Sequence, residues 1–235
     1  PDEADNAFFS QSNIDGALDT VIEEDMEQRA VLGVDVARFG EDDSVVYINR
    51  GGRVRLLETW SKATAIETAN RIHRLAVENA VSEVRIDAAG LGGPVVDLVA
   101  SHADNRYIVI SMLGGAASPD KMRWLNARSA NFDHLKELMS SGKVDLDPDD
   151  SRLIDELLMI QYKFTPKGAI QIESKDDMRS RGVKSPDQLD AVVYATADLS
   201  AIIGSPFGDK KVGDMVTFEN SFIDDRDPFL GGWTW

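Results

Sequence analysis

Three aspartates stand where a carboxylate is hard to keep. Asp35 closes the apolar run Ala30-Val-Leu-Gly-Val-Asp35, just before a turn. Asp87 closes Glu83-Val-Arg-Ile-Asp87 in the same way, with small residues and then a helix after it. A carboxylate at the end of a buried strand costs free energy unless it bonds loop amides, is paired, or binds a cation. If the two strands are neighbours, their terminal carboxylates lie side by side, which is unfavourable without a cation. The third segment is Ser185-Pro-Asp-Gln-Leu-Asp-Ala191. Ser185 reads as an N-cap, Pro186 as the first helical residue and Gln188 as the partner in a capping box. Asp187 and Asp190 are three apart and share a helix face. The helix dipole alone accounts for Asp187. Asp190 instead begins an apolar helix and needs a partner.

Three Asp residues with no His at hand form an oxygen-only donor set, which suits Mg²⁺ or Mn²⁺. Two such ions about 4 Å apart can activate water and stabilise the leaving oxygen of a phosphodiester. From Met178 to Pro186 the chain carries Arg179, Arg181 and Lys184 and no acid. A short basic loop beside a carboxylate cluster can hold a phosphate backbone; the alternative is a solvated surface loop.

The 235 residues contain no cysteine, so disulfides, thiolate metal sites and cysteine nucleophiles are excluded. His73, His102 and His134 are far apart in sequence, and no HExxH pair exists. The spacings of a P-loop, a dinucleotide loop and a nucleophile elbow are absent. No apolar run reaches membrane-spanning length, and the N-terminus is not a signal peptide. Pro1 in place of Met predicts a fragment or a processed product. The net charge is −16, of which residues 1–50 hold −10 and residues 204–235 hold −3. The body between is nearly neutral, so overall acidity does not decide what a local groove binds.

Around these residues the pattern predicts a strand at 30–35, then strands at 44–49 and 53–60 joined by an Arg50-Gly-Gly52 hairpin. A helix over 63–80, a strand at 83–87, a helix over about 94–102 and a strand at 107–111 complete a βαβ series. Helices follow at 124–141 and 149–160. A hairpin then spans 161–173, and a buried helix runs over 186–203. Residues 1–30 read as a linker or arm, 31–203 as one domain and 204–235 as a tail.

Gly33-Val-Asp-Val-Ala-Arg-Phe-Gly-Glu-Asp-Asp-Ser-Val-Val46 resembles the first acidic strand and loop of the nuclease domain of tailed-bacteriophage terminase large subunits. Arg85-Ile-Asp-Ala-Ala-Gly-Leu-Gly-Gly-Pro-Val-Val-Asp97 resembles its second acidic strand and helix, and Lys184-Ser-Pro-Asp-Gln-Leu-Asp-Ala191 its third motif. Order and spacing fit across residues 31–203. Residues 1–9 look like the connector after that family's motor ATPase. The resemblance implies an α/β, RNase H-like mixed sheet, its first three strands antiparallel and the rest parallel, flanked by helices. It implies a two-metal-ion endonuclease, using Mg²⁺ or Mn²⁺, that cuts concatemeric viral DNA during packaging. Asp35, Asp87 and Asp190 would be catalytic metal ligands, Asp35 bridging both ions. Asp187 or Asp42 would add an outer ligand, and Arg179, Arg181 and Lys184 would meet DNA. Double-stranded DNA, the terminase small subunit and the procapsid portal would be the partners, in the host bacterial cytoplasm. Rival readings are a Holliday-junction resolvase or transposase of the same fold and a non-catalytic module that docks on the portal. An actin-like or sugar-kinase domain would need two repeated halves, and no repeat appears.

Overall fold

The computed structural model describes residues 6–37, 43–89 and 92–199. Phe8 and Phe9 lead into α1 (Gln11–Asp19), which opens with a capping box between Ser10 and Asn13. β1 (Ala30–Asp35), β2 (Ser44–Arg50) and β3 (Arg53–Trp60) form an antiparallel meander. Gly51 and Gly52 both take positive φ (61° and 99°), as a tight two-residue hairpin requires. α2 (Ala65–Glu78) returns the chain to β4 (Glu83–Asp87), and α3 (Gly92–His102) returns it to β5 (Ile108–Met112). β4 pairs parallel with β1, and β5 parallel with β4, giving the order β3-β2-β1-β4-β5. α4 (Ala127–Ser140) and α5 (Ser151–Met159) follow. The small hairpin β6 (Tyr162–Phe164) and β7 (Ile170–Ile172), α6 (Lys175–Ser180) and α7 (Asp187–Thr196) close the chain. This is the mixed, helix-flanked sheet that the sequence predicts. Among the described residues no helix is long and apolar enough to cross a membrane.

Every residue of β1 is buried because both faces of the sheet are covered. On one face Leu32, Val34, Val84 and Ile86 meet Ile72 of α2 and Val96 and Val99 of α3. On the other, Val45 and Tyr47 meet Leu189 and Val192 of α7, with Phe132, Leu135 and Leu153 behind them. α7 approaches β1 at Gly33, where a Cβ would lie 2.0 Å from the Ala191 carbonyl oxygen and 2.4 Å from the Ala195 nitrogen. Only a residue without a side chain allows that approach.

Three expectations change. Within the span read as a linker or arm, Phe8 and Phe9 are 2% exposed and α1 packs on α4, so this stretch belongs to the core. Its apolar residues are too few and too uneven to show a period, yet two aromatics and Ile14 suffice to anchor it. The basic segment is not all loop: a Ser174–Asp177 capping box makes residues 175–180 a helix. The last helix runs only from Asp187 to Thr196: Ala197 (ψ 137°) turns extended, Pro186 (ψ 62°) is not helical, and neither Ser185 nor Pro186 supplies a side-chain cap. Instead Glu156 of α5 accepts the Leu189 N–H at 2.7 Å. Asp42 and residues 204–235 lie outside the described residues.

Candidate functional site

The parallel register of β1 with β4 matches Val34 to Ile86. Continued by one residue, it sets Asp35 level with Asp87 at the same end of the sheet. α7, pressed onto β1 at Gly33, brings Asp187, Asp190 and Tyr194 to that end. A cleft of about 330 Å³ opens there, lined among others by Asp35, Asp87, Asp187, Arg128, Lys175 and Tyr194. Asp190 is sealed, at 1% exposure, and touches the cleft through its partners.

Those partners are cations. Lys175 Nζ lies 3.0 Å from Asp35 Oδ2 and 3.1 Å from Asp190 Oδ2, bridging strand β1 and helix α7. The contact to Asp35 is a hydrogen bond; that to Asp190 Oδ2 is an ion-pair approach without hydrogen-bond geometry. Arg128 Nη1 donates to Asp190 Oδ1 at 2.6 Å. Asp87 Oδ1 accepts the Ala89 N–H at 2.9 Å, and the neighbouring Tyr194 hydroxyl favours the charged form of this carboxylate. Asp187 is drawn the other way, to Arg152 at 3.3 Å, which also binds Asp43 and Glu156.

Electrostatics separate the carboxylates. Burial pushes Asp35 up to about 8; Lys175 opposes this, while Asp190, Asp87 and Asp187 add to it. Burial also raises Asp87, against the pull of the Ala89 N–H and Lys175. Burial works against charge on Asp190 too, but Arg128 and Lys175 hold it below the ordinary carboxylate value. Burial likewise opposes charge on Lys175, yet Asp190 and Asp35 raise its pKa. The site is thus a cluster of buried acids that stays ionised only as far as cations enter it.

The donor set is oxygen-only, and a cation already sits between two of its members, so its chemistry fits a hard divalent ion. Among the described residues no three of these carboxylates form a ligand cluster as they stand. Lys175 lies between Asp35 and Asp190, where a shared ion would have to compete with it.

The basic segment divides. Arg179 lines the cleft and pairs with Asp176 at 3.0 Å. Lys184 is exposed and lines a neighbouring cavity of about 440 Å³. Arg181 turns away from both, with Nε and Nη2 on the Glu173 carboxylate at 3.1 and 2.7 Å. Sequence reasoning missed Lys175, Arg128 and Tyr194. Tyr194 had a signal, since it lies four residues after Asp190 and shares its helix face. The other two had none, because each comes from an element distant in sequence.

No protein-family model and no curated protein matches the chain. Solved structures do. The nuclease domain of the large terminase subunit gp2 of bacterial virus Sf6 superposes with a TM-score of 0.69 at 18% identity, covering 82% of this chain and 99% of that one. A variant of that domain with manganese matches with a TM-score of 0.69 at 17% identity, over 82% of this chain and 99% of that one. The large terminase nuclease from thermophilic phage G20c with bound magnesium gives 0.61 at 19% identity, covering 82% of this chain and 97% of its own. At such identities the likeness is one of fold, and it is the RNase H-like fold to which the three acidic motifs pointed.

Proposed function

We propose that the chain is a metal-dependent endonuclease that cuts double-stranded DNA, and that its task is the cleavage of concatenated viral DNA during genome packaging. One observation carries the reading. The ends of β1 and β4 and the start of α7 meet at one cleft, where a cation bridges the buried carboxylates of β1 and α7 and that of β4 stands beside them. The shared fold of the Sf6 and G20c nuclease domains, solved with manganese and magnesium, supports it.

In this reading Asp35, on the central strand, Asp87 and Asp190 would hold Mg²⁺ or Mn²⁺. Divalent ions bound there supply activation of water at neutral pH and stabilise charge on the leaving oxygen. The chain's own residues do the rest. Arg128 keeps Asp190 ionised, the Ala89 N–H orients Asp87, and the neighbouring Tyr194 hydroxyl favours its charge. Arg179 and Lys184, which line the cleft and the cavity beside it, would hold the phosphate backbone, and Arg181 would support them from Glu173. Asp187, held by Arg152, serves as an outer ligand. The terminase small subunit and the portal act as partners through a longer protein, in the host bacterial cytoplasm.

Supercoiled plasmid and a four-way junction, each with Mg²⁺, Mn²⁺ or EDTA, test this. The expected result is plasmid cleavage with little sequence preference that stops in EDTA and in Asp35→Asn. Robust cleavage in EDTA overturns the metal reading. Cleavage confined to the junction favours the resolvase.

A further inference from the structure

Arg128, in the first turn of α4, is spent in an unusual way. Its side chain is 14% exposed and lies over the Phe132 ring, 4.6 Å from the centroid. Nη1 donates to Asp190. Its remaining donor atoms, Nε and Nη2, are buried and have no hydrogen-bond partner. A buried donor left unpaired is costly and calls for an explanation.

Nε–H and one Nη2–H lie side by side on one edge of the planar guanidinium, the edge that matches two oxygens of a carboxylate or phosphate. Arg181 uses that edge on Glu173. Arg85, buried against the other end of α7, spends Nη1 on the carbonyls of Tyr194 and Ala197 and its Nε on Glu83. Arg128 leaves the edge unpaired, although the residue lines the acidic cleft. Gly114 and Gly115 line the same cleft, and a Cβ on Gly115 would meet nothing within 4 Å. A sugar–phosphate chain can therefore come close there. The charged groups facing the guanidinium are Asp190 and Asp35, and Lys175 stands between those two carboxylates.

We propose that Arg128 binds a phosphate of the DNA strand in this cleft. Its Nε–Nη2 edge takes two non-bridging oxygens while Nη1 keeps Asp190 in place. Both donors are covered in this structure, so binding of the phosphate must uncover this edge. This rests on the nuclease reading and adds to it the group that grips the substrate beside the acids.

The test is binding of a fluorescent 24-base-pair duplex to the full chain, in EDTA and in Ca²⁺, from 50 to 200 mM salt. Arg128→Met keeps an apolar stem on Phe132 and loses the fork. Arg128→Lys keeps the charge but not the edge. Arg74→Met, on α2, serves as the control. The slope of log K against log salt should fall by about one in R128M, so that the affinity lost across the salt range is about fourfold smaller than in the wild type. R128K should keep the slope and bind more weakly than wild type, and R74M should match wild type. An unchanged slope in folded R128M overturns the assignment, even where the wild type binds and cuts DNA and the nuclease reading stands. A wild type that binds no duplex at any salt overturns both. If R128M does not fold, the wild type labelled with ¹⁵Nε-arginine decides. The Arg128 Nε–H signal, identified by its absence in R128K, should shift on adding duplex, and an unmoved signal refutes the proposal.

Discussion

Replacing Gly33 by Ala tests the link between packing and site most sharply. The added Cβ would stand 2.0 Å from the Ala191 oxygen and 2.4 Å from the Ala195 nitrogen, where ordinary contact begins near 3.4 Å. Both obstacles are helix backbone and cannot swing aside, so α7 must move off β1 by more than about 1 Å, the shortfall from close-packed contact. Overpacking of this kind costs about 1–3 kcal/mol, and the rigid neighbours place it near the upper end. For a chain of this size that is a fall in Tm of roughly 6–12 °C. The functional loss should be larger than the stability loss. β1 carries Asp35 and α7 carries Asp190, and Lys175 now spans them at 3.0 and 3.1 Å. A misplacement of about 1 Å can cost on the order of 100-fold in rate. Circular dichroism melting gives the first quantity. Plasmid nicking in Mn²⁺, at a temperature where the variant is folded, gives the second. Gly115→Ala, with open space around the new carbon, should melt like the wild type. A G33A protein with wild-type Tm and wild-type nicking would refute the claim that the α7–β1 contact sets the site.

Further outcomes follow from the same geometry. Burial raises Glu156 to about 7, against its hydrogen bond from the Leu189 N–H and its pairing with Arg152. The folded state therefore holds a proton that the unfolded chain releases near pH 4.5, and stability falls as pH rises from there to about 7. Glu156→Gln escapes that fall. It should gain on wild type by up to about 3 kcal/mol between pH 4.5 and 8 in urea titrations, and a pH-independent difference would contradict the assignment. Arg179→Ala and Lys184→Ala should each flatten the salt dependence of DNA binding by about one unit of slope. Arg181→Ala, whose native partner is Glu173, should act mainly on Tm; the opposite ranking would show that the segment has been misread. Tyr194→Phe should cost about 1 kcal/mol of stability, and should shrink the rise in Tm that Mn²⁺ gives by binding the folded state. An undiminished rise would remove Tyr194 from the site.

Much of this was legible in the sequence because it is local. β1, β2 and β3 announce themselves by apolar runs and by Arg50-Gly-Gly52, and Asp35 and Asp87 are visible as carboxylates at strand ends. Asp190 is visible because an acid opens an apolar helix. What stayed hidden depends on distant contacts. Phe8 and Phe9 look like part of an acidic arm until Phe132 packs on them. Arg128 and Lys175 come from α4 and α6, and nothing near them in sequence tells of Asp190. The start of α7 was misplaced by one residue because its cap comes from Glu156, 33 residues earlier, rather than from Ser185. Arg181 looked like Arg179 and Lys184 in sequence, and only Glu173 across a turn separates them.

The central claim is that the carboxylates of β1, β4 and α7 form a divalent-cation site. Crystals of the chain grown with Mn²⁺, with data collected at the manganese absorption edge, test it most directly. Anomalous peaks should appear within ligating distance, about 2.1 Å, of Asp35, Asp87 and Asp190 oxygens, with the Lys175 ammonium displaced from between Asp35 and Asp190. Millimolar Mn²⁺ that leaves Lys175 in place and gives no peak at these residues would contradict it.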